Sequence, residues 1–345
     1  MVSLPDVRAS NAQIPTALPK GLVAVFAGAT SGIGEYTLKT FVKYAVEPRI
    51  YLFARNASSA ERVIADCRQL NPQGEYVFVK VDLSLVKDTD RACEEVKSKE
   101  KLVNLAVLSA GELRLDRKPT PEGLNSFLAA STYTRVRIAQ QLLPLLTAAS
   151  KTTSLARVID VGRGTKEGDI DLSDLAGFEL SLMSLRGHLT SMHTLAFEAL
   201  AQQAPSVSFI HEFPGAVNSN LHKGVPGLLG SLIYVMTTVT YWTLGRWLFV
   251  PTEECGERHV FLATSGRYKP KEGQAAGVPL IEGMTEGRGS DGQVGSGMYS
   301  LNWDCEGPGE EADKVLKGLR QKGVKEVLWN HFAEQFEKAT KSSAT

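Results

Sequence analysis

Residues 184–195 read SLRGHLTSMHTL and hold the side chains with most to offer a reaction. On a helix, Arg186, Thr190 and His193 stand at i, i+4 and i+7 and share one face, whereas His188 points elsewhere. A histidine titrates near neutrality and can deliver a proton. An arginine stays charged, so it cannot be the proton donor, but it can stabilise an oxyanion or enolate as charge develops. His193 lies about 10 Å along the helix from Arg186, which argues against direct cooperation; for either histidine a satisfied structural side chain is the competing reading. A second constellation is glycine. The stretch AGATSGIG puts Gly28, Gly32 and Gly34 directly after the apolar run LVAVFAG and at the start of a helical pattern. Glycine there lets the backbone turn sharply and approach a pyrophosphate seated on the helix N-terminus, where free N–H groups point outward.

These residues need elements to position them. Short apolar or alternating runs predict strands at 22–28, 49–55, 75–84, 103–111, 156–162 and 206–215. Helical spacing fills the intervals, with long helices predicted over roughly 122–148 and 181–203. Strand and helix in strict alternation predict an α/β fold: a doubly wound parallel sheet of the Rossmann type with right-handed crossovers. The glycine-rich stretch 285–298 reads as a surface loop, and EEADKVLKGLRQKG and VKEVLWNHFAEQFEKA as amphipathic helices. The division expected is a polar lead-in over 1–20, a dinucleotide-binding domain over 21–270, and a C-terminal loop with helices over 271–345 packed on the same domain.

With these motifs in order, the chain resembles the short-chain dehydrogenases/reductases over roughly residues 20–270. GATSGIG matches that family's first turn and implies that Thr30, Ser31 and Ile33 join the three glycines around the cofactor. VDLS matches its adenine-side pair at Asp82 and Leu83; LSAG matches its Asn-Ala-Gly, with Ser109 in place of the asparagine and Gly111 closing the turn. FPGAVNSN matches the Pro-Gly turn beside the nicotinamide, with Pro214, Gly215, Val217 and Ser219. The strand that would end in an acid to hold ribose hydroxyls in an NAD site instead ends FARN, with Arg55 there. A guanidinium fork suits a 2′-phosphate, so the expected cofactor is NADP(H).

The resemblance also implies what is replaced. The family's catalytic asparagine, serine, tyrosine and lysine fall on Ser131, Gly162–Arg163, Arg186 and Thr190. No tyrosine lies between Tyr133 and Tyr234, so no small shift restores the motif. Ser131, Arg163, Arg186, Thr190 and His193 are therefore the candidate catalytic residues of a non-standard set. The lead-in, first turn and C-terminal helices look most like a fungal branch associated with secondary metabolites.

Composition sets the outer bounds. A hydrophobic share of 43%, a charged share of 22% and zero formal net charge are ordinary for a globular chain and offer no electrostatic basis for nucleic-acid binding. Cys67, Cys93, Cys255 and Cys305 are far apart and lack ligand spacing, which predicts a reduced, cytoplasmic setting with neither disulfides nor metal. No secretory signal is visible at the N-terminus. Residues 224–245 carry no charge; an apolar lid over 224–250 is the preferred reading, with peripheral membrane contact, a spanning helix or a core helix pair as the others. The expected function is reduction of an apolar small molecule, an iminium or enone before a ketone. A cyclase or isomerase on the same frame, or a non-catalytic NADP(H)-binding module, stands as the alternative. A homo-oligomer is compatible with the sequence.

Overall fold

A computed structural model describes residues 1–111, 117–218 and 248–341, with isolated positions at 232, 235, 236, 238–240, 242, 243 and 245. Seven strands form one wholly parallel sheet: β1 Val23–Ala27, β2 Arg49–Ala54, β3 Glu75–Lys80, β4 Leu105–Leu108, β5 Arg157–Val161, β6 Ser208–Phe213 and β7 Met298–Asn302. Their order across the sheet is β3-β2-β1-β4-β5-β6-β7, the doubly wound arrangement expected. The described helices that matter here are α1 Leu4–Asn11, α2 Gly32–Tyr44, α3 Ala57–Leu70, α4 Val86–Lys99, α5 Thr134–Thr152, α6 Leu182–Gln203, α7 Thr252–Thr264, α8 Glu310–Gln321 and α9 Val324–Lys341.

Strand β1 shows why the central runs carry no polar alternation. All five of its residues are buried, because helices cover both faces. Ala24 and Phe26 enter a core shared with α2, α3 and α7; Val23, Val25 and Ala27 enter the opposite core, shared with α4, α5 and α6. A third cluster joins α6 to α9 through Leu189, Met192, Leu328 and Phe332.

Three elements differ from the sequence expectation. The lead-in is itself structured: Ser3 caps α1 by accepting from the Asp6 N–H at 3.2 Å, Val7 is fully buried, and the Asn11 amide donates to the Glu257 backbone carbonyl and carboxylate on α7. The stretch 285–298 is a loop only up to its last residue, where β7 begins; five residues with two polar members are too short to announce a strand. The helix expected over 122–148 is interrupted. A short turn at Ser126–Leu128 widens into a π-turn at Ala129–Tyr133 before α5 continues to Thr152. The Thr134 hydroxyl sits at that junction, donating to the carbonyls of Leu83 and Ala129. Such insertions open a helix locally and recur at functional sites.

Most of 224–250 lies outside the described residues. Where it is described, Leu232, Val235, Met236, Val239, Trp242 and Leu248 are exposed. Among the described residues no helix is long and apolar enough to cross a membrane.

Candidate functional site

A cavity of about 860 Å³ opens along the carboxyl edge of the sheet. It lies across the boundary between β1 and β4, where the chain stops building outward on one side and starts on the other. Open α/β sheets bind ligands at that switch point. Its walls come from the loops that follow β1 to β6, so residues distant in sequence meet here.

The loop after β1 forms the cradle. Gly28 and Gly32 adopt positive φ, +88° and +59°, which other residues adopt at a cost. A side chain at Gly28 would strike the Ala110 backbone, and one at Gly34 would strike the Ser109 hydroxyl and lie 2.9 Å from the Gly28 carbonyl. The glycines therefore let α2 and β4 close together while α2 presents its N-terminus to the cavity. Thr30, Ser31 and Ile33 line the same wall. Arg55 follows β2, is exposed and, among the described residues, enters no ion pair. Asp82 and Leu83 follow β3; the Asp82 carboxylate accepts from the Ser84 N–H and hydroxyl at 2.9 and 2.7 Å. Ser109 and Gly111 follow β4, and Pro214, Gly215 and Val217 follow β6. Ser219 lies outside the described residues. The glycine cradle and the helix N-terminus fit a dinucleotide, and Arg55 lines the same cavity at the end of β2.

At the other end, the expected residues separate. Ser131, in the π-turn, lines the cavity and donates to the Phe127 carbonyl at 2.5 Å. Arg163, half-buried beyond β5, and Arg186, exposed in the first turns of α6, also line it. Each guanidinium lies over an aromatic ring, Arg163 over Phe127 at 5.6 Å and Arg186 over Phe213 at 5.5 Å. Neither forms an ion pair with a carboxylate among the described residues; the Asp160 charge acts on Arg163, but its oxygens are held by Arg135 and His193. Burial, with the charges of Arg135 and Arg186 nearby, pushes the Arg163 pKa down to about 10, which leaves it charged at neutral pH.

Thr190 and His193 are not in the cavity wall. Placing them at the site from a shared helix face fails because α6 is buried from His188 to Ala201, so that of this face only Arg186, at its exposed start, reaches the cavity. The Thr190 hydroxyl donates back to the Arg186 carbonyl at 2.8 Å. His193 is fully buried, its Nδ1 2.6 Å from Asp160 and its Nε2 accepting from the Thr132 hydroxyl at 2.9 Å. His188 is also buried, its Nδ1 accepting from the Asp171 N–H.

What sequence reasoning missed is the layer behind the reactive end. Arg135 reaches from α5 into the wall; its guanidinium donates to the carbonyls of Ala110 and Val161 and meets the Asp160 carboxylate at 2.7 Å. Burial alone would raise the Asp160 carboxyl, but His193 and Arg135 outweigh it and hold it well below the usual carboxylate range. His211 stacks on His193 with ring centroids 5.2 Å apart, and its Nε2 accepts the Arg163 backbone N–H. Its proton is therefore on Nδ1, beside the Thr194 hydroxyl, which donates to Glu167. Burial raises the Glu167 pKa. Asp160, His193 and His211 lie close enough together to suggest a metal cluster; Arg135 already supplies the positive charge, and the imidazole nitrogens are engaged. The clue in the sequence was one aspartate inside the apolar strand VIDV, which demands a buried partner.

Known proteins agree with this frame. Residues 22–159 match the model of the short chain dehydrogenases. The chain is 36% identical over 347 residues to Oxidoreductase andH of Emericella variicolor, covering 99% of each chain. It is 29% identical to the short-chain dehydrogenase/reductase SAT2 of Stachybotrys chartarum, covering 100% of this chain and 99% of that protein. Among solved structures, L-sorbose reductase of Gluconobacter frateurii in complex with NADPH and L-sorbose superposes with a TM-score of 0.53 at 16% identity, over 78% of this chain and all of that one. The chain belongs to the short-chain dehydrogenase/reductase family.

Proposed function

We propose that this chain is an NADP(H)-dependent oxidoreductase of fungal secondary metabolism that acts on an apolar small molecule and reduces an iminium or an enone in preference to a ketone. The observation that carries the reading is the pair of guanidiniums, Arg163 and Arg186, without an ion-pair partner among the described residues, at the end of the cavity opposite Arg55. Relatives described as oxidoreductases, most of them fungal, support the redox class and the setting.

Bound along the glycine cradle, a nicotinamide nucleotide would supply the hydride chemistry. This chain's part is to hold and to neutralise. The α2 N-terminus and its glycines take the pyrophosphate, and Arg55 takes the 2′-phosphate by charge-assisted bonds. No tyrosine or lysine is among the described wall residues, and an arginine does not release a proton at neutral pH. Ketone reduction needs that proton at the oxygen; an iminium carbon does not, and conjugate reduction mainly needs the developing enolate stabilised. Two cations at the reactive end suit the latter two.

The same lack of a phenol in the described wall favours a second reading, a cyclase or isomerase that holds the nucleotide without using it. One experiment separates them. NADPH deuterated at C4, on each face in turn, is incubated with the protein and a panel of iminium, enone and ketone compounds. Label in an iminium or enone product supports the reductase. Product without label identifies the cyclase or isomerase, and tight NADPH binding without any product identifies a binding module. Fast turnover of simple ketones overturns the preference.

A further inference from the structure

We propose that the reactive end of the cavity is a carboxylate subsite: the substrate carries a permanent carboxylate held between Arg163 and Arg186, with its apolar body against Phe127 and Phe213. This deepens the reading above and rests on it, replacing a merely greasy substrate with an amphipathic acid.

The charge inventory is one-sided. Among the described residues in the cavity wall the only carboxylate is Asp82, at the far end. Behind the reactive end, Asp160 is wholly buried, with one oxygen on Arg135 and the other on His193. On the following loop, Glu167 is buried between the Thr194 and Ser300 hydroxyls, and Asp171 accepts from Ser173. Lys166 adds a third cation, 5.4 Å from the same Phe213 ring that carries Arg186. A ring face attracts a cation but offers no lone pair to its N–H donors. Two like charges in one half-enclosed wall repel each other, and a ligand anion between them relieves that repulsion from the moment it binds.

The cofactor's own anions do not fill this role. The pyrophosphate belongs on the α2 N-terminus beside the β1–β4 boundary, and the 2′-phosphate beside Arg55 beyond β2, on the side of that boundary away from the loop after β5 that carries Arg163. The nicotinamide end of a dinucleotide brings no anion with it. A guanidinium fork is matched to a carboxylate's two oxygens, and Phe127 and Phe213 provide flat apolar surface beside it.

The test uses the full chain saturated with NADP⁺, titrated calorimetrically with matched pairs that differ only in charge: benzoate and benzamide, 2-naphthoate and 2-naphthamide. The carboxylates should bind about tenfold to a hundredfold tighter than their amides, as charge-assisted hydrogen bonds allow. Arg163→Gln and Arg186→Gln should each remove most of that preference and the Arg→Lys variants restore part of it; raising salt from about 50 mM to about 500 mM should weaken the carboxylates alone. Equal binding of acid and amide, no binding of either, or an acid preference that survives both glutamine variants overturns the proposal. Nucleotide affinity is measured first, by NADPH fluorescence. If the wild-type chain fails to bind NADPH, the cofactor reading itself has failed; if only the glutamine variants lose NADPH, the arginines serve the nucleotide and the carboxylate subsite is wrong.

Discussion

The two ends of the cavity are built from different materials. At the nucleotide end the wall is largely main chain: glycines at positive φ, a helix N-terminus, and a strand–helix approach so close that a Cβ cannot enter. At the reactive end the wall is long side chains from three elements, Arg135 from α5, Arg163 from beyond β5 and Arg186 from α6, two of them without an ion-pair partner among the described residues and one locked to Asp160. A main-chain site depends on the absence of side chains and is rigid. A side-chain site depends on what stands behind it, here a buried layer in which Asp160 takes both Arg135 and His193.

That layer offers the largest effect. Asp160→Asn leaves the Arg135 guanidinium buried without its counter-charge, and should lower unfolding stability in urea by about 3–5 kcal/mol. Adding Arg135→Met to it should recover part of the loss, because the uncompensated charge goes with it. Equal stability of the aspartate and asparagine chains would erase the distinction between the two ends, since the reactive end would then need no support.

Next in size is the cradle. Gly34→Ala puts a methyl group 2.9 Å from the Ala29 Cα and the Gly28 carbonyl and against the Ser109 hydroxyl. Overpacking of this kind costs about 1–3 kcal/mol, and NADPH affinity should fall about tenfold to a hundredfold in a fluorescence titration. Gly318→Ala on α8, where an added methyl meets nothing, should leave affinity as it was. Arg55→Glu should act on one cofactor only. NADPH binding should weaken roughly tenfold through loss of a charge-assisted bond, while NADH binding holds or improves. Parallel loss of both nucleotides would place Arg55 in the scaffold, outside the phosphate pocket.

The same contrast explains what could be read in the sequence. The nucleotide end was legible almost residue by residue, because backbone approach demands glycine at fixed spacing after a strand, and Gly28, Gly32 and Gly34 supply it. The parallel sheet was legible through six strand runs, five of them largely buried and β3 half-buried at the sheet edge; β7 was not, since its five residues follow a glycine-rich loop and pair only at the sheet edge. At the reactive end the helix-face rule correctly joined Arg186, Thr190 and His193 but could not say which way the face turns. Only Arg186 reaches the cavity; from His188 onward the helix is buried between the sheet and α9, which takes Thr190 and His193 into the core. Arg135 was invisible for a related reason: it lies one turn beyond Ser131, past a π-turn that no periodicity reveals.

The smallest predicted effect probes that hidden layer through pH. Burial pushes the His211 pKa down to about 3, with Asp160 opposing and the charges of His193, Arg163 and Arg135 adding to the fall. In the unfolded chain the same imidazole titrates near about 6.5. Unfolding therefore takes up a proton wherever the pH lies between those values, and the stability conferred by a neutral His211 is lost as pH drops below about 6.5. The slope from one such group is at most about 1.4 kcal/mol per pH unit. His193 is shifted in the same direction and Glu167 in the opposite one, and both remain in a His211→Gln chain, so the comparison reads His211 together with its coupling to them. Urea unfolding at about pH 7.5, 6.5 and 5.5 should show the wild type losing stability more steeply than the variant below about pH 6.5, by up to about one proton's worth of slope. Coincident slopes would mean that His211 is protonated as readily in the folded protein as outside it. The stacked pair of imidazoles behind Arg163 would then be open to water, and the reactive end would resemble the nucleotide end more than its burial indicates.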